Sequence, residues 1–360
     1  MNRSTLVILT ACSGLGSFIP AVNLSKWLQM QGHQVSFHAI EQLYTPEALQ
    51  RFLRTQAQCQ KDLRTAILTQ RWLSHSPQSI EGAIDDIKLE NLLSLWQQNE
   101  VRRFIVFSGF WTLLLNRRFA SLRTDPALQI DAIHLDVGRS LSWAQASELG
   151  LNHQWLLDPG HTQDLIPPPP VTPWAQRNHR IAVHGGGWHM GHVEQYYPKL
   201  REQYVLLIRG GLDATDSDHQ ILSDPDWKPW SHGCVDGGQF PPQRLKTSSG
   251  TLSQSTTVTS LFQQQLSKSL ALVSKPGGAS LIDSFATCTP LVLLPPFGDY
   301  EKENGQCWLE RGFAVTFETW EASRFSMSVI EQCHRNLRMA SRHRSIYGER
   351  YENKNLTETR

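Results

Sequence analysis

The residues most able to do chemistry stand close together in Val273-Ser-Lys-Pro-Gly-Gly-Ala-Ser-Leu-Ile-Asp283. An apolar run stops there at Gly277 and Gly278, and a helix is expected to start on Ala279-Ser280. Such a turn leaves main-chain N–H groups and the positive end of a helix facing a crevice, which suits an anion. Lys275 adds a fixed positive charge. Asp283, one turn into the helix, is placed to accept hydrogen bonds from hydroxyl groups such as those of a ribose. Two further glycine turns, Gly14/Gly16 and Gly185-Gly186-Gly187, also follow apolar runs, and Arg209 closes the run Val205 to Ile208, where an arginine can clamp phosphate. The plain alternative for each turn is a glycine serving tight strand-to-helix packing.

The elements that must position these groups alternate between strand and helix. Thr5 to Ala11 reads as a strand, Ile19 to Gln31 as a helix closed by Gly32, and Gln34 to Ile40 as the next strand. Such a unit implies a right-handed crossover in a parallel sheet, with its first turn at the carboxyl edge where α/β folds bind ligands. Pro46 to His75 and Ile80 to Glu100 read as helices, Arg103 to Phe107 and Ile130 to Leu135 as strands. The run Ile166-Pro-Pro-Pro-Pro170 is stiff and extended, the clearest linker in the chain. Afterwards the pattern restarts at Arg180 to His184, while Arg209 to Gly250 shows no periodicity and reads as a long functional loop. The division expected is 1–158, a linker at 159–179, a second domain at 180–346 whose last helix packs back on the first, and a polar tail at 347–360.

Bulk properties narrow the function. A chain of 360 residues exceeds one ordinary core, so two domains are expected. A net charge of +1 argues against a nucleic-acid binder that works by neutralising phosphates. The six cysteines show no C-x-x-C spacing, so they read as reduced thiols of a cytoplasmic protein without a metal site. Leu9-Thr10-Ala11-Cys12 imitates a lipoprotein attachment box, but the apolar core before it is shorter than the roughly 7 to 15 residues a signal needs, and no run approaches the roughly 20 that span a bilayer. His184, His189 and His192 are unevenly spaced in a glycine turn and read as packing rather than metal ligands, and Trp188, Trp227 and Trp230 are candidates for a sugar pocket.

Two α/β halves, a proline-rich linker and Lys-Pro-Gly-Gly-x-Ser-x-x-Asp together resemble a GT-B glycosyltransferase, in particular the group that includes the N-acetylglucosaminyl transferase acting on lipid-linked muramyl pentapeptide and the wider UDP-glycosyltransferases. The likeness is dense in Leu6 to Phe37 and Leu272 to Phe317. It implies an α/β fold of two Rossmann-like domains facing across a cleft, with an acceptor bound by the first and a UDP-sugar by the second. By the same resemblance Gly14 and Gly16 face acceptor and donor phosphates, and Gly185, Gly186 and Gly187 approach the diphosphate. Lys275, Gly277, Gly278 and Ser280 meet phosphate, Asp283 holds the ribose, and Glu303 and Asn304, near Asp299, hold the donor sugar. Metal-independent, inverting transfer is implied, with no cofactor beyond the co-substrate and with a small-molecule, lipid-linked or peptide acceptor.

The chain departs from this pattern where many relatives carry a histidine after the second glycine. Ser17 stands there, and its hydroxyl alone is no base near neutral pH. A base from elsewhere is one consequence, with Asp136, His134 and Glu41 as candidates and Asp136 the choice. An already nucleophilic amine or thiol acceptor is a second, and lost transferase activity is a third. The rival functions are therefore a catalytically silent binder or activator with this fold and a UDP-sugar epimerase-like enzyme.

Overall fold

A computed structural model describes residues 5–73, 78–118, 127–143, 150–210, 214–224, 226–230, 238–253 and 259–351. In the first domain β1 (Leu6–Thr10), β2 (Val35–Ala39), β3 (Arg103–Val106), β4 (Gln129–His134) and β5 (Leu151–Trp155) form a wholly parallel sheet in the order β2-β1-β3-β4-β5. Leu6 and Ile8 of β1 enter one hydrophobic cluster while Val7 and Leu9 enter another, so the central strand is apolar on both faces. That is the pattern of a parallel sheet covered by helices on each side. The helix Phe18–Met30 covers one face through Phe18, Val22, Leu24 and Leu28.

A short β6 (Gln163–Asp164) lies in the linker. The second domain then has β7 (Arg180–His184), β8 (Val205–Arg209), β9 (His219–Ser223), β10 (Gln243–Thr247), β11 (Gly250–Ser253), β12 (Ala271–Ser274), β13 (Leu291–Leu293) and β14 (Ala314–Thr316). They make one sheet in the order β11-β10-β9-β8-β7-β12-β13-β14, parallel except for the antiparallel β9-β10-β11 meander.

Three expectations need correction. The helix expected over Pro46 to His75 is broken at Asp62, whose carboxylate accepts the Thr65 N–H at 2.8 Å and so starts a second helix, Leu63–Leu73. The stretch 209–250, expected to be a loop, supplies β9 and β10 and leads into β11. They lie at one end of the sheet and bury few side chains, such as Ile221 and Leu245, which leaves too weak a period to read. The last helix, Met327–Ala340, stays on the second domain, where His334 Nδ1 meets Cys288 O at 2.7 Å. What crosses back is the segment after it. There β15 (Ser345–Ile346) pairs with β6, Arg344 ion-pairs with Asp164 at 3.0 Å, and the hydroxyls of fully buried Tyr347 and of Tyr351 donate to Asp131 Oδ2 at 2.5 and 2.9 Å. Residues 347–351 are therefore packed, and 352–360 of the expected tail lie outside the described residues.

The linker is anchored as well as stiff. Buried Arg177 donates to the carbonyls of Thr172, Ser269 and Thr287 and to Thr289 Oγ1, at 2.7 to 3.2 Å. Burial lowers its pKa to about 10, so the guanidinium stays charged among those oxygens.

Candidate active site

The carboxyl edges of both sheets open onto one cavity of about 560 Å³ between the domains. The loops after β1, β2, β3 and β4 line it from one side, and the end of β8 with the segments after β7, β12 and β13 from the other. The expected residues Gly14, Gly16, Ser17, Asp136, Gly185, Gly186, Gly187, Arg209, Lys275, Gly277, Gly278, Ser280 and Asp283 all reach its wall.

Two of the glycines make the domain contact. A Cβ on Gly187 would fall 1.6 Å from the Gly14 carbonyl oxygen, and one on Gly278 would fall 2.2 Å from that of Leu135. Near them Trp188 Nε1 donates to Cys12 O at 2.7 Å, and His192 Nε2 lies 3.0 Å from Cys59 O. Trp188 also packs with Trp227 and Trp230, which touch Phe18 and Phe52 of the first domain. These tryptophans bridge the halves and are not among the residues lining the cavity. His184 is buried and receives the Gly186 N–H at 2.9 Å. Among the described residues no group of three or more His, Cys, Asp or Glu is placed to hold a metal ion.

On the wall formed by the second domain the helix Gly278–Thr287, with Gly277 as its N-cap, follows β12 after a short turn. Ser280 Oγ sits 3.3 Å from Ser274 Oγ and 3.5 Å from His184 Nε2, which locks the first turn to both neighbouring strands. Lys275 ion-pairs with buried Glu301, whose other oxygen accepts the Phe297 N–H at 2.7 Å. Asp283 receives Gln263 Nε2 at 3.3 Å. Burial raises its carboxyl to about 7, and the nearby Arg209 guanidinium opposes the rise. Arg209 itself lies 5.1 Å over the Phe262 ring.

Of the two residues expected on the donor sugar, Glu303 is exposed beside Gly138 and is not a lining residue. Asn304 is fully buried and ties the domains together. Its Nδ2 donates to Asp136 Oδ1 at 2.8 Å and to Pro276 O at 3.0 Å, and its Oδ1 accepts the Val137 N–H at 2.8 Å. Tyr300 and Glu301, one helical turn earlier and missed in the sequence, reach the wall instead.

The three candidate bases differ sharply. Asp136, the one chosen from sequence, has its carboxylate on Asn304 and on the Gly278 N–H, at the helix end expected to take phosphate. Burial lifts it to about 6; Glu301 adds to the rise and Lys275 opposes it. His134 is buried, stacked at 4.0 Å on Trp155 and 2.8 Å from His153 Nδ1, and does not line the cavity. Ser17 donates to Ala11 O at 3.1 Å. Glu41 lines the cavity while 1% exposed; its Oε1 accepts the Cys12 N–H at 2.8 Å, and its Oε2 has no partner among the described residues.

This architecture is the GT-B fold, two Rossmann-like domains facing across a cleft. No family model matches the chain, and no curated protein matches it. Solved structures do. The glycosyltransferase SsfS6 of Streptomyces sp. SF2575, complexed with thymidine diphosphate, is 12% identical over 99% of this chain and 100% of its own, with a TM-score of 0.53. The glycosyltransferase SnogD from Streptomyces nogalater is 12% identical over 97% of this chain and 98% of its own, at 0.52. MurG of Acinetobacter baumannii is 13% identical over 99% of this chain and 100% of its own, at 0.50.

Proposed function

We propose that the protein transfers a sugar from a nucleoside-diphosphate donor, bound on the second domain, to an acceptor held by the first. The observation that carries this reading is one cavity where the helix end at Gly278, Lys275, Arg209 and Asp283 face the apolar loops of the other domain. Negative charge grows on the leaving diphosphate during transfer, and fixed N–H groups and cations in a partly dry cleft stabilise it more than the ground state. With those charges in place, the reading is metal-independent, with direct inverting displacement of the diphosphate. In this reading Asp283 takes the ribose hydroxyls; the sequence resemblance implies a uridine nucleotide, and the thymidine diphosphate bound by a protein of similar fold supports dTDP as a second candidate.

Thermal-shift titration with UDP-, dTDP- and GDP-sugars tests the reading; no stabilisation by any of them would sink it. In calorimetry Asp283→Ala is expected to weaken the bound nucleotide about fivefold, the worth of one net hydrogen bond. Unchanged affinity would remove Asp283 from the ribose. A silent nucleotide-binding protein is the second reading, favoured by the commitment of Ser17 to Ala11 O and of Asp136 to the helix end. Slow release of nucleotide from donor with no acceptor present would rule that out.

A further inference from the structure

Among the described residues lining the cavity, Asn23 Oδ1, Glu41 Oε2, Gln56 Nε2, Asp164 Oδ2 and Gln263 Oε1 are buried without a hydrogen-bond partner; Asp164 Oδ2 is ion-paired with Arg344, so Glu41 Oε2 is the carboxylate oxygen of this set with no partner of either kind. Glu41 belongs to the single turn Ile40–Leu43 that follows β2, so its side chain points back under the loop after β1. The Cys12 N–H fixes Oε1. The second oxygen is left at the wall of the half-cavity formed by the first domain. That wall is mainly apolar, with Ile19, Ile40, Phe52, Phe107 and Phe110 around Tyr44. A buried carboxylate oxygen without a donor is costly, and a hydroxyl brought in by a ligand relieves the cost.

Resting on the transferase reading above, we propose that Glu41 is the base of the reaction, and that the acceptor presents a hydroxyl to its Oε2 from a predominantly apolar body. The acceptor O–H proton passes to Oε2, and the oxygen's electron pair forms the bond to the anomeric carbon. The bond from that carbon to the phosphate oxygen breaks, and its electrons leave with the nucleoside diphosphate. The proton then returns to solvent from Glu41. This assigns the role left empty by Ser17 and separates it from Asp136, whose carboxylate serves the donor-side helix end. The titratable and charged groups facing Glu41 are Cys12 and Tyr44, with Arg51 on the same wall; burial pushes its carboxyl up to about 7, so both protonation states are accessible near neutral pH.

The test uses wild type and Glu41→Gln, which keeps the shape and an oxygen for the Cys12 N–H. Each is titrated with 2-naphthol and with 2-methoxynaphthalene, then separately with UDP and dTDP, and transfer to 2-naphthol from UDP- and dTDP-glucose is followed. The wild type should prefer the naphthol at least tenfold, and the variant less than threefold, with nucleotide affinity unchanged. Transfer should fall about 100- to 1,000-fold in the variant, and the loss of wild-type rate below about pH 7 should vanish. Equal preference in both proteins, or transfer retained within threefold, would overturn the role of Glu41 while leaving the transferase reading intact. Failure of the wild type to bind either nucleotide would instead remove the reading beneath it, and the base role with it.

Discussion

Gly278→Ala is expected to lower sugar transfer about 100-fold while both domains stay folded. The added methyl would sit 2.2 Å from the Leu135 carbonyl oxygen and 2.7 Å from Asp136 Oδ1, and the first of these is main chain that cannot swing away. Relief requires the two halves to part by about 1 Å, and displacement on that scale costs roughly a hundredfold in a reaction that depends on aligned partners. Folding stability should change little by comparison, because Gly278 starts its helix with ordinary geometry and alanine suits a helix. Steady-state rates and thermal unfolding of the same preparation check both parts. A rate within threefold of wild type would mean that this contact between the domains is not the reacting arrangement.

The second large effect concerns the donor. Asp136 occupies the helix end that a diphosphate would use, so nucleotide and carboxylate compete for the Gly278 N–H. Asp136→Asn should therefore tighten UDP or dTDP binding about 30-fold at pH 8, which corresponds to ~2 kcal/mol, the upper range for a charge at a partly buried helix end. The sign of the pH dependence follows from the raised pKa of about 6, caused mainly by burial. Above pH 6 the wild-type carboxylate is charged and competes; below it the group is neutral and competes less. The ratio of variant to wild-type affinity should then fall toward one by about pH 5, and taking the ratio at each pH cancels titration of the nucleotide itself. Calorimetry at four pH values is sufficient. A ratio that stays flat, or an Asn variant that binds more weakly, would show that Asp136 supports the nucleotide instead of opposing it.

The sequence was most legible where the fold buries most. Leu6 to Thr10, Arg180 to His184 and Ala271 to Ser274 are buried along their whole length and read as apolar runs without any help from structure. Leu151–Trp155 went unread because an edge strand of Leu-Asn-His-Gln-Trp exposes half of itself. That the glycine turns at Gly185 and Gly277 would line the cavity was legible because a glycine turn after a strand is local chemistry. Asn304 was visible as polar, yet its work in joining Val137 to Pro276 depends on two domains meeting. Glu41 gave only the signal of a carboxylate after a strand. Its isolation from water and its free oxygen are tertiary facts, set by the Cys12 loop folding over it.

The return of Ser345 to Tyr351 onto the first domain has a consequence for how the chain is made. Tyr347 fills a fully buried place beside Asp131, and β15 completes the small sheet with β6, so the first half lacks part of its own packing until residue 351 has been synthesised. Domains usually mature in order as they leave the ribosome. Here the earlier domain must wait for the later one, and final closure of both belongs to a single late event.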